Sequence, residues 1–164
     1  MMNWNMQDES TESKPTKILV AVDFSACSVL ALEKAHALAG QKPAHIIILH
    51  VVDGDFVQRC ISNHLGTEEH IKETLFLHAR NKINNLLSKE KMQGEGVEKV
   101  ICEGTPYIEI NKKAVQHDVD MVVMGSQGNS GDMNTIFFGS TAEKVLRFIK
   151  RPVLCVPPEE DHKL

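Results

Sequence analysis

Short runs of aliphatic and β-branched residues alternate along the chain with stretches in which apolar residues recur every three or four positions. Residues 17–22 (KILVAV) and 45–52 (HIIILHVV) are continuous apolar runs, as expected of strands covered on both faces. Shorter runs at 97–102, 121–124 and 153–156 predict three more strands. Pro152 and Pro157 border the last, which suits an edge position. Between them the period changes. Ser25 reads as an N-cap followed by Ser28, Leu32, Ala35 and Leu38 or Ala39 at helical spacing. A long helix is predicted from Thr67 to Glu90, with Ile71, Leu75, Ala79, Ile83 and Leu86 along one stripe and Gly94 and Gly96 beyond its end. Thr105-Pro106 opens a third helix that turns Tyr107, Ile110 and Ala114 inward. A fourth, over 140–148, turns Ala142, Val145, Leu146 and Ile149 inward and stops at Arg151-Pro152. Residues 53–66 carry no period and read as irregular, and the polar residues 1–15 and 158–164 read as tails. Five strands alternating with four helices predict an α/β fold on a parallel sheet.

Composition narrows the function classes. A chain of 164 residues is one domain. Its net charge of −4, with scattered basic residues, argues against a nucleic-acid partner. The apolar runs fall far short of the ~18 residues a membrane span needs. The N-terminal MMNWNMQDESTESK has neither the basic nor the apolar part of a secretory signal, so a cytoplasmic protein is expected. No CxxC pair occurs. Cys27, Cys102 and Cys155 fall in or beside apolar segments and read as small core residues, whereas Cys60, in the irregular segment next to Arg59, is a candidate reactive thiol. His64, His70 and His78 lack the i,i+4 spacing of a helical ligand pair, so no metal site is expected; His78 is placed at the border of the buried stripe and His70 in solvent. No nucleophile–base constellation stands out, and no catalytic residue is assigned.

In an open parallel sheet, ligands bind beyond the carboxyl ends of the strands where the strand order reverses. Two features then matter: Asp23, directly after the first strand, and the glycine-rich loop GSQGNSGDMNTIFFGST over 125–141. Glycines there let backbone N–H groups face an anion, and the following helix offers its N-terminus. A tight strand-to-helix connection would need the same glycines. The loop is neither GxGxxG nor a Walker loop. Asp23 suits a ligand contact or, equally locally, an Asx-turn or cap before the first helix. Ser140-Thr141-Ala142-Glu143 is a capping-box pattern, which would engage the Ser140 hydroxyl in capping its own helix.

The segments KILVAVDFS, HIIILHVVD, EGTPYIEI, VDMVVMGSQGNSGDMNTIFFGSTAEKV and RPVLCVP, in that order, resemble the universal stress protein family over residues 16–157. The resemblance implies a three-layer α/β sandwich whose parallel sheet has strand order 3-2-1-4-5. It also implies the ATP-binding pattern G-x2-G-x9-G-[S/T]. Carried over by position, Asp23 and the preceding Val22 would lie at the adenine end, with Val51 walling the base. Met124 and Gly125 would approach the adenosine. Gly128, Gly139, Ser140 and Thr141 would hold the phosphates, with Mg²⁺ as a companion ion. Gln127 stands where many relatives have histidine. Ten residues, not nine, separate Gly128 from Gly139, so the loop is one residue longer, around Gly131 to Asn134. It contains Asp132 and no lysine or arginine. The implied function is a cytoplasmic stress-response protein that binds ATP or another adenine nucleotide as a signal or structural ligand. Any hydrolysis would be slow, and a homodimer would form through residues 153–156. The alternative is a nucleotide-free dimer that acts by binding a partner protein, its crevice closed by the longer loop and Asp132.

Overall fold

The computed structural model describes residues 16–40, 44–92, 96–128 and 138–159. The chain runs β1 (Thr16–Ala21), α1 (Ala26–Ala39), β2 (Ala44–Asp53), α2 (Gly54–Ser62), α3 (Glu68–Lys89), β3 (Val97–Gly104), α4 (Pro106–Gln116), β4 (Met121–Gly125), α5 (Ser140–Phe148) and β5 (Val153–Val156). All strand pairs are parallel and the order is β3-β2-β1-β4-β5. Successive side chains of a strand point to opposite faces, and the two faces bury separate cores. Ile18, Val20, Ile46 and Ile48 pack on Leu32 and Ala35 of α1 and Ile83 and Leu87 of α3. Leu19, Ile47 and Leu49 pack on Ile110 and Ala114 of α4 and Ala142 and Val145 of α5. The result is a three-layer sandwich with β5 at one edge. Among the described residues no helix is long and apolar enough to cross a membrane.

The helix count differs from the expected four, because residues 54–62 of the segment read as irregular form α2. The helix starts without a break: Asp53 ends β2 and is also the N-cap, its carboxylate accepting the Asp55 N–H at 2.9 Å. Its nine residues bury only Val57 and Cys60, against Val52 and Ile71, and two positions are too few to register as a period. Cys60 is therefore a core residue on a helix, which removes the candidate reactive thiol. Burial also pushes the thiols of Cys102 and Cys155 up.

The inward faces of the other helices hold in part. Of the pair Leu38 or Ala39, Ala39 packs against the core and Leu38 is exposed; Leu146, expected inside, is exposed, and Leu87 rather than Leu86 is the fully buried leucine late in α3. Tyr107 is half-buried, its ring 5.9 Å from that of Phe148.

Candidate functional site

β1 lies between β2 and β4, and the chain leaves β1 and β4 toward opposite faces of the sheet. After β1 it enters α1, on the α3 side; after β4 it leads to α5, on the α4 side. The strand ends are thereby left uncovered, and a cavity of about 850 Å³ opens there, within the size range of small-molecule sites. All ten residues singled out from the sequence line it. Val22 and Asp23 follow β1, and Val51 comes from β2. Met124 and Gly125 end β4, Gln127 and Gly128 begin the loop, and Gly139, Ser140 and Thr141 begin α5. The extra residue expected around Gly131 to Asn134, and Asp132 with it, lie outside the described residues.

Asp23 forms the local turn and also lines the cavity. Its Oδ1 accepts the Ser25 N–H at 3.0 Å, an Asx-turn, and also the Ser25 hydroxyl. The Ser25 Oγ in turn accepts the Ser28 N–H at 3.2 Å and caps α1. The other oxygen, Oδ2, lies 2.7 Å from where a Cβ on Gly128 would be, so a side chain at 128 would have to displace the Asp23 carboxylate. Gly125 is required by the packing. A Cβ there would sit 2.7 Å from Cys27 Cβ and 2.9 Å from the Cys27 carbonyl carbon, so this glycine lets α1 dock on β4.

The loop ends are clamped by backbone bonds. The Ser126 N–H donates to the Val156 carbonyl and the Gly139 N–H to the Ser126 carbonyl, each at 2.8 Å. This clamp settles where α5 begins. Gly139, not Ser140, is the N-cap, its carbonyl accepting the Glu143 N–H at 2.9 Å. The capping box is not formed: Ser140 is already the first helical residue, and the Glu143 carboxylate reaches forward to Arg147 at 2.8 Å. The positive N-terminal end of α5 therefore borders the cavity, with no cap side chain over its first N–H groups.

The opposite wall was not foreseen. Phe24, His50, Phe56, Arg59, His78 and Lys82 line it. Phe24 adopts φ +65°, a conformation uncommon for a bulky residue, and its ring lies 4.6 Å from that of His50. Lys82 Nζ is 5.0 Å from the Phe24 ring centroid, and the Arg59 guanidinium is 5.8 Å from that of Phe56. The salt bridges among the described residues include neither cation. Burial holds the His50 imidazole below its ordinary pKa, partly offset by its bond to the Val22 carbonyl and by the charge of Asp23. His78 is exposed at the cavity, where a border of the buried stripe was expected. The signal that could have found this wall is the α3 period itself. Leu75, His78, Ala79 and Lys82 are spaced i, i+3, i+4 and i+7 and share one face. Among the described residues no group of three or more His, Cys, Asp or Glu is placed to hold a metal ion.

Residues 15–157 match the family model described as the Universal stress protein family. The chain is 32% identical over 152 residues to universal stress protein MJ0577 of Methanocaldococcus jannaschii, covering 85% of this chain and 93% of that protein. The solved structure of MJ0577 superposes with a TM-score of 0.76 over 88% of this chain and 96% of that one. Universal stress protein YxiE of Bacillus subtilis is 32% identical over 145 residues, covering 85% and 97%. A universal stress protein solved in complex with cAMP shares the fold at 20% identity and a TM-score of 0.63, over 90% of this chain and 100% of that one.

Proposed function

The chain belongs to the universal stress protein family, and on that premise we propose that it binds an adenine nucleotide, ATP foremost, in the cavity at the ends of β1 and β4, as a signal or structural ligand in a cytoplasmic stress response. One observation carries this reading: the Asp23 carboxylate, the glycine at 128 and the uncapped N-terminus of α5 all border one cavity. A carboxylate oxygen suits a sugar hydroxyl or an amino group. A helix N-terminus beside glycine backbone suits phosphate. Arg59 and Lys82 supply positive charge that the glycine loop lacks. The relative in complex with cAMP holds an adenine nucleotide on the same fold.

In this reading Val22, Asp23 and Val51 hold the adenosine with Met124 and Gly125, while Gln127, Gly128, Gly139, Ser140 and Thr141 hold the phosphates, accompanied by Mg²⁺ from solution. Any hydrolysis is slow, because the loop sequence from 125 to 141 carries no lysine or arginine to clamp a γ-phosphate. The free side of β5 pairs with a second copy to form a homodimer.

Acid extraction of protein purified without added nucleotide, with calorimetric titration of ATP and Mg²⁺ alongside, tests the proposal. Extractable adenine nucleotide, or saturable binding below about 1 mM, is expected. Neither appearing would leave the partner-binding alternative in its place. Asp23→Asn keeps an acceptor for the Ser25 N–H and removes the charge; it should weaken ATP about tenfold while the fold persists.

A further inference from the structure

Among the described residues, His50 is the one ring in the cavity whose hydrogen-bonding face is fixed by the backbone. Its Nδ1 lies 2.8 Å from the Val22 carbonyl oxygen. A carbonyl only accepts, so Nδ1 carries the hydrogen, and in the neutral ring Nε2 is left as an acceptor. No hydrogen bond to Nε2 is made by the described residues, and the ring is held in place by Phe24 at 4.6 Å. His50 stands next to Val51 on β2 and is bonded to Val22, the residue before Asp23. Its side chain points to the α1/α3 face of the sheet, opposite that of Val51, and lines the cavity beside Val22 and Asp23, two of the positions proposed above for the adenosine.

Resting on the nucleotide reading of this cavity, we infer that His50 is a specificity-determining residue that reads position 6 of a bound purine. Neutral, it accepts a hydrogen bond from a 6-amino group; protonated, it donates one to a 6-oxo group. Preference between 6-amino and 6-oxo purine nucleotides then turns over with pH.

The groups around His50 pull in both directions, and their net effect favours the neutral ring near neutrality. Burial disfavours the imidazolium most, and Lys82 and His78 on α3 act in the same direction. Asp23 and the Val22 carbonyl oppose them, and the net direction is down from 6.5. From α2 the cavity receives Arg59 and, at the helix cap, Asp53, whose carboxylate is engaged by the Asp55 N–H. At neutral and higher pH the ring is the acceptor. It becomes a donor only as the pH falls below its lowered pKa.

Affinities of the whole protein for ATP and for ITP, measured by calorimetry at about pH 8 and about pH 5, test this inference. The two ligands share one triphosphate, so pH effects on the phosphates and their contacts cancel in the ratio. ATP should be preferred about tenfold or more at the higher pH, and the ratio should fall to parity or reverse at the lower. His50→Asn keeps an amide N–H for the Val22 carbonyl and leaves nothing at the Nε2 position, so its ratio should stay near one throughout. His50→Gln puts an amide near the Nε2 position, and its ratio should not change with pH. A wild-type ratio indifferent to pH, or a pH-dependent ratio that survives in His50→Asn, overturns the inference while nucleotide binding stands. Binding of neither nucleotide instead removes the nucleotide reading, and the inference with it.

Discussion

On one side of the cavity, residues 125–128 and 138–141 contribute glycines, clamped backbone groups and a helix N-terminus. On the other, Phe24, His50, Arg59 and Lys82 contribute side chains from four places: the turn after β1, then β2, α2 and α3. The first wall is made by the path of the chain and is bound into the fold. Altering it risks the packing of α1 or the start of α5. The second wall ends in Arg59, His78 and Lys82, exposed groups whose replacement disturbs little packing. A site divided in this way can hold the part proposed to face phosphate constant while its ligand preference changes through the side-chain wall.

The largest expected effect separates two glycines within the backbone wall. Gly125→Val drives a Cβ into the Cys27 backbone and should destabilise the domain by about 3 kcal/mol, lowering Tm by about 6–12 °C. Gly128→Val meets the Asp23 carboxylate at the cavity instead. It should change stability by about 0.5 kcal/mol or less while reducing ATP affinity at least about tenfold. Thermal melts paired with ATP titrations distinguish the two. If both variants melt equally early, the wall is structural throughout and Gly128 has no special relation to a ligand.

The next effect falls on the side-chain wall. Arg59→Ala and Lys82→Ala should each weaken ATP by about three- to tenfold and leave Tm close to the wild type. The loss should shrink as salt rises, because exposed charges are screened. Adenosine, which lacks the phosphates, serves as the control. An equal loss for adenosine would mean that the two residues shape the cavity rather than attract charge.

The same division explains what the sequence could show. The strands, and Asp23 with the glycine loop, were legible because each is contiguous: a β-branched run, an acid at a strand end, glycines in a row. The place of Gly128 was half legible, since its position in the loop is plain but its closeness to Asp23 is a tertiary fact. Arg59 and Lys82 lie 36 and 59 residues after Asp23 (59 − 23 and 82 − 23). Nothing local marks Arg59 as part of the same cavity, and Lys82 is marked only by sharing a face of α3 with Leu75, His78 and Ala79. The helix α2 escaped because its two buried positions do not make a period, and with it went the placement of Phe56 and Arg59. Ser140 misled for the opposite reason. Its local pattern is a good capping box, but the bond from the Gly139 N–H to the Ser126 carbonyl moves the helix start one residue upstream.

Ser140→Ala carries the smallest expected change and bears most directly on whether this wall is made of backbone. A serine at the N-cap costs about 1 kcal/mol to replace by alanine, equivalent here to about 2–4 °C in Tm. At the first helical position, with Gly139 as the cap, the change should be within about 0.5 kcal/mol. Gly139→Ser supplies the converse. A Cβ at 139 meets its nearest neighbours at 3.5 Å, an ordinary contact, so the serine fits and its hydroxyl can cap α5, stabilising the domain by a few tenths of a kcal/mol at about the level expected for glycine-to-serine caps. That hydroxyl would then cover N–H groups proposed to meet phosphate, so ATP affinity should fall as stability rises. Denaturation without nucleotide, beside ATP titration, reads both quantities. A loss of about 1 kcal/mol in Ser140→Ala, with no gain in Gly139→Ser, would place the cap at Ser140 after all. The phosphate-facing wall would then depend on a side chain, and its distinction from the opposite wall would disappear.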